Sequence, residues 1–333
     1  MIVNKYELAN KSLDEYYAEI ASRTRRHKEN PPHIVFTIGT ARSGTTASLN
    51  VFRGSIVEDE TGFTHKIPAN YQVFKAGLRH AMLGWKENSD WNFQFPKEPL
   101  FYMKDTIGPY TEKESQYNPL KVLEYMEYPT DKIFVVFSFR DPLSSLFEWI
   151  DKWGEIIPRE VLASNFILAA NTLSEIKKDV KARGLAHTTL LYETIRDNSP
   201  KDSARVLFDQ INQTIEKRSG IKILPTETTT ENWDRLDEKW CNPNQPYIYE
   251  LPQIDIRLHR DVRTKTNWEF QEQTSDQLAM IISSGELKRL EDSGLYQIYE
   301  EFRREAERNP GLQTKMLNSY KNVKEIFAKK SLK

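Results

Sequence analysis

The stretch that decides the fold is His33-Ile34-Val35-Phe36-Thr37-Ile38-Gly39-Thr40-Ala41-Arg42-Ser43-Gly44-Thr45-Thr46. The run from His33 to Ile38 is short, apolar and β-branched, and it ends at a glycine. A continuous apolar run of this kind marks a strand buried on both faces of a parallel sheet. Residues 45–53 then read as a helix, with Gly54 as its stop. A strand, a glycine-rich turn and a helix start gather backbone N–H groups at the positive end of a helix dipole. Such a turn suits phosphate or sulfate. Gly39 and Gly44 have the spacing of a nucleotide-binding P-loop, which continues with Lys and then Ser or Thr. Here Thr45 stands where that lysine belongs, and the basic residue comes earlier, at Arg42. A triphosphate with Mg²⁺ leans on the missing lysine. A loop with two threonines and an arginine suits a donor with fewer charges and no metal.

Working outward, Ile133 to Phe139 is a second buried strand. It ends at Arg140, and Asp141-Pro142 opens a helix, Asp as N-cap and Pro at the first helical position. A guanidinium beside free helix N–H groups makes a second anion site. Residues 100–104 and 188–192 read as strands; 69–86, 119–128, 158–183 and 200–217 read as helices. This alternation predicts an α/β fold, a doubly wound and mostly parallel sheet. Residues 5–29 read as one or two surface helices, 225–267 as an ordered functional loop region, and 274–333 as charged helices.

At about 150 residues per domain, 333 residues allow roughly two domains. No repeat or flexible linker divides the chain, so a single domain is expected: an N-terminal helical extension over 1–30, a core over 33–270 and C-terminal helices over 271–333. Lys plus Arg number 47 and Asp plus Glu 48, a net charge of −1 that excludes a generally basic nucleic-acid binder. The single cysteine, Cys241, excludes an internal disulfide and a thiolate metal cluster. The N-terminus lacks the apolar core of a signal peptide, and no apolar run has transmembrane length. A cytoplasmic protein without membrane or nucleic-acid partners is expected.

Arg42-Ser43-Gly44-Thr45-Thr46 resembles the 5′-phosphosulfate loop of the PAPS-dependent sulfotransferases, PAPS being 3′-phosphoadenosine 5′-phosphosulfate. The resemblance implies that residues 43–46 wrap the phosphosulfate and that Arg42 stabilises the transferring sulfuryl group. Arg140-Asp141-Pro142 resembles the family's 3′-phosphate motif. That motif carries a serine eight residues after its arginine, where this chain has Glu148; Ser144, one turn earlier, is the substitute candidate. Tyr192-Glu193 looks like the late strand whose tyrosine lies against the adenine. Arg257, His259, Arg260, Arg263, Lys265 and Trp268 form a basic cluster loosely similar to the family's late 3′-phosphate loop, without its glycines. Lys104 matches the lysine of the cytosolic enzymes' K-T-H segment, with Thr106 replacing the histidine.

For the catalytic base, tyrosylprotein sulfotransferases use a glutamate shortly after the loop helix. Glu58, Asp59, Glu60 and His65 fill that stretch here. Spacing ranks Glu60 first, His65 next and Asp105 third. The implied activity is metal-free sulfuryl transfer from PAPS to the hydroxyl or amine of a small molecule, such as a natural product being tailored. A homodimer is compatible with the sequence. Two other readings stay open: a P-loop kinase or other nucleotide-binding protein, and a PAP-binding protein that has lost activity, PAP being adenosine 3′,5′-bisphosphate.

Overall fold

The computed structural model describes residues 11–26, 29–82, 84–85, 91–233, 239–241, 249–251, 256–258, 261–263, 268–270, 272–308 and 319–331. Its centre is a five-stranded sheet. In chain order the strands are β1 (His33–Thr40), β2 (Ala69–Tyr71), β3 (Leu100–Ile107), β4 (Ile133–Phe139) and β5 (Ala186–Leu191). Their spatial order is β2-β3-β1-β4-β5, with every pairing parallel. β1, β3 and β4 are buried along their whole length. That is why they read as unbroken apolar runs.

Helices cover both faces. On one face, α1 (Leu13–Ser22), α3 (Val73–Met82), α4 (Pro142–Trp153), α5 (Arg159–Ala182) and α8 (Leu295–Ala306) share the larger apolar core. On the other face lie α2 (Thr45–Arg53) and α7 (Pro200–Ser219), with Phe52 stacked on Tyr102 at 4.2 Å. α6 (Tyr192–Asp197) caps the end of β5. The helices after residue 274 bury Leu278, Leu290, Phe302 and Val323 in the larger core. Among the described residues no helix is long and apolar enough to cross a membrane.

The surface helix expected within 5–29 is present as α1, which begins with a Ser12–Glu15 capping box, leaves Asp14, Glu15 and Ala18 exposed and buries Tyr16, Tyr17 and Ile20. Two other expectations change. Part of the helix expected over 69–86 is the strand β2, too short to show a period of its own. Ser55 to Val57, which reads in the sequence as a weaker second strand of the alternating pattern, falls on a strand at Ile56–Glu58 that belongs instead to a separate antiparallel sheet with 64–66 and 222–224.

Candidate functional site

β1 is flanked by β3 and β4, and the chain crosses to opposite sides of it. Open α/β sheets take ligands at the C-terminal edge beside such a point. The loop of residues 41–44 lies there, and its shape follows from close approaches. A Cβ on Gly39 would stand 2.4 Å from the Ser138 carbonyl oxygen and 2.6 Å from Ser43 Oγ, so only glycine fits between β1 and β4. Ser43 Oγ donates to the Thr40 carbonyl at 2.7 Å, and Ser138 Oγ donates to the Ser43 carbonyl at 2.6 Å. Trp149, from α4, donates its indole N–H to the Ala41 carbonyl at 2.8 Å. Arg42 and Gly44 both adopt positive φ, +69° and +87°. Gly44 is the N-cap of α2 and provides no side-chain cap. The first N–H groups of a helix have no intrahelical acceptor, so those of α2 face the edge unspent by a cap.

Lys104 approaches this helix start from the neighbouring strand. Its Nζ donates to Thr46 Oγ1 at 3.0 Å. Lys104 is buried, and burial pushes its pKa down to about 7. A lysine in that range is a competent proton donor at neutral pH.

On the other side of the loop, Arg140 ends β4, and Tyr192 opens α6. The Arg140 guanidinium lies 4.0 Å above the Tyr192 ring. A Cβ on Gly44 would meet Tyr192 Cδ2 at 3.1 Å, so this tyrosine packs against the loop as well as against Arg140. An aromatic run continues from Tyr192 through Phe270 and Trp268 to Trp233. It fixes residues 268–270 beside the edge, with the Trp268 indole N–H donating to the Asn198 carbonyl at 2.7 Å. The start of α4 is already satisfied: Asp141 Oδ1 accepts from Ser144 N at 2.8 Å. Glu193, buried and pushed up to about 7 by that burial, accepts from Asp141 N at 2.8 Å. The Ser144 N–H at this helix start is thus taken by the Asp141 side chain and the Asp141 N–H by Glu193, which leaves the Arg140 guanidinium as the cationic group there. Ser144 is buried one turn before Glu148 on α4.

Arg42, Ser43, Gly44, Thr45, Thr46, Lys104, Arg140, Ser144 and Tyr192 therefore come together at one edge. Glu60 and His65 do not. Their hairpin leads into the N-terminal start of β2, and Glu60 packs against Gly220, just past α7. The last turn of α7 donates from Arg218 to the Asp131 carbonyl, ahead of the start of β4. The hairpin thus sits where the strands begin, across the sheet from the loop. Within it, Asp59 accepts from Thr61 N, Phe63 N and His65 Nε2 at 2.9, 3.1 and 2.8 Å. The His65 contact, first, and the Thr61 bonds hold the Asp59 carboxyl well below the usual range. Asp59 and His65 tie the turn together.

Asp105 is at the correct edge but on the opposite face of β3 from Lys104, because strand side chains alternate. Its Oδ2 accepts from Lys75 N at 3.2 Å, at the start of α3. Burial raises its pKa to about 7. Thr106 accepts from Gln72 Nε2 at 3.2 Å and Lys75 Nζ at 3.3 Å. Arg260 and Lys265, with His259, lie outside the described residues. Arg257 and Arg263 fall on short antiparallel strands described by their backbone pairing.

Sequence reasoning missed Gln273, which reaches the site from just before the helix at Ser275–Ile281. It accepts from Arg140 Nη2 at 2.7 Å and donates to Glu148 Oε1 at 2.7 Å. One of three glutamines over residues 271–277 carries no sequence signal for this. No protein-family model matches the chain, and no curated protein matches it.

Proposed function

We propose that this chain is a PAPS-dependent sulfotransferase acting on a small molecule. The observation that carries the reading is the Lys104–Thr46 contact at the uncapped start of α2, with Arg140 beyond Tyr192 on the same edge. The loop N–H groups would hold the 5′-phosphosulfate and Arg140 the 3′-phosphate. The acceptor's oxygen or nitrogen attacks sulfur, the bond from sulfur to the 5′-phosphate oxygen breaks, and PAP leaves. Protonated Lys104 would stabilise the bridging oxygen as it gains charge, an electrostatic role of the kind that dominates group transfer.

The acceptor must also lose a proton. Glu60 and His65 are at the far edge, and Asp105 caps α3, so an acceptor that is nucleophilic without help fits this site best, such as a neutral amine whose proton passes to solvent once the S–N bond has formed. Thr45 in place of the P-loop lysine supports a metal-independent donor. A cytoplasmic location belongs to the same proposal. Thermal-shift titration with PAP and with ATP–Mg²⁺, followed by turnover of labelled PAPS over a panel of amines and alcohols, tests it. Stabilisation by PAP and transfer in EDTA are expected. Stabilisation by ATP–Mg²⁺ alone would point to a kinase, and PAP binding without turnover to an inactive relative.

A further inference from the structure

Glu148 is one turn beyond Ser144 on α4, and its side chain is 14% exposed. It stands between the two arginines of the candidate site. Arg42 Nη2 and Nε reach Glu148 Oε2 at 2.5 and 3.0 Å. Arg140 Nη1 lies 3.3 Å from Oε1, and Gln273 Nε2 donates to the same oxygen at 2.7 Å. Three separate segments, the loop after β1, the end of β4 and the segment before residue 275, converge on one carboxylate. Burial acts to raise its pKa, but Arg140 and Arg42 outweigh it and keep Glu148 ionised. The Arg140 side chain is 4% exposed, and its Nε has no hydrogen-bond partner among the described residues. A planar, two-oxygen anion bound between two guanidiniums has the form of a ligand contact.

We infer that Glu148 is a built-in competitor for the 3′-phosphate, a carboxylate that a bisphosphorylated donor must displace from Arg140. The inference rests on the proposed PAPS site. A phosphate dianion and Glu148 cannot both occupy Arg140 without like-charge repulsion, so the carboxylate must swing away when the donor binds. Its departure also releases Arg42, whose side chain is otherwise held toward α4 rather than over the loop. A nucleotide without the 3′-phosphate has nothing to put in its place. Glu148 thereby lowers the affinity for the correct donor and ties the freeing of Arg42 to that donor's 3′-phosphate.

The test is calorimetric titration of the full chain with PAP and with adenosine 5′-monophosphate. Wild type is compared with Glu148→Gln, which keeps the shape and the Gln273 contact, and with Glu148→Ser. Both variants should bind PAP at least about tenfold tighter, and the gain for PAP should exceed that for the monophosphate at least about fivefold. Unchanged or weaker PAP binding in the variants, with wild type binding PAP, overturns the inference alone. Equal gains for the two nucleotides also overturn it, since they would reflect net charge rather than 3′-phosphate competition. No PAP binding by any of the three folded proteins overturns the donor assignment and this inference with it.

Discussion

Gly39 and Lys104 carry the account at the scale of single residues. Gly39 admits Ser138 against β1, and the loop's turn follows from that approach. Gly39→Ala places a methyl where backbone already lies. Overpacking of this kind costs about 1–3 kcal/mol. A lowered melting temperature together with lost PAP binding is the expected result. Lys104 gives a pH signature. Its folded pKa, about 7, is below its ordinary 10.5, so between these values the folded protein holds fewer protons than the unfolded chain. An anion at the α2 start restores the proton, so PAP binding takes one up and weakens as pH rises above about 7, by up to about tenfold per unit. Calorimetry in buffers of differing ionisation heat reads this directly. Lys104→Met should abolish that uptake; an unchanged slope in the variant would remove Lys104 from the site.

At the scale of elements, α4 does three jobs. Asp141 caps it, Trp149 anchors the loop through the Ala41 carbonyl, and Glu148 links the arginines. Trp149→Phe keeps the buried ring and removes one hydrogen bond, leaving the Ala41 carbonyl unpaired. A loss of about 1–3 kcal/mol in urea unfolding is expected, with PAP affinity falling too because the loop loosens. Arg140→Ala should weaken PAP by about 2–4 kcal/mol and the monophosphate far less, since one charged contact is removed. Equal losses for both nucleotides would give Arg140 a folding role instead.

The elements legible in the sequence are those with a strong local signature: β1 and β4 as unbroken apolar runs, and Asp141-Pro142 as a helix start. β2 was hidden because three residues cannot display a period. Glu60, ranked first by spacing, lies away from the loop for a physical reason. Sequence spacing after α2 says how far the chain has travelled but not to which edge, and α2 runs from the loop toward the strand starts. Glu148, read only as a misfit to a phosphate motif, turned out to have two arginine partners that no local pattern could announce.

Over the whole molecule, the C-terminal helices are part of the core that supports the sheet. Phe302 on α8 packs against Phe137 and Phe139 of β4, with Lys177 of α5 over its ring at 3.7 Å. Glu305 on the same helix faces His187 of β5 at 3.3 Å. The bond to Glu305 raises the His187 pKa above 6.5. A raised histidine pKa adds stability that is full below the unfolded value and is lost as pH climbs through the folded one. His187→Gln should therefore lower the melting temperature more at about pH 5.5 than at about pH 8.5, where wild type and variant should converge. A difference that does not shrink at high pH would mean that packing, not charge, joins α8 to β5. The central claim is that the C-terminal edge holds a phosphosulfate donor, and it is tested most directly by titrating the wild-type chain with PAP and with ATP–Mg²⁺. The account predicts one PAP per chain, bound at least about tenfold tighter than ATP–Mg²⁺, a gap of about 1.4 kcal/mol or more. Tighter binding of ATP–Mg²⁺, or no binding of PAP by the folded protein, would contradict it.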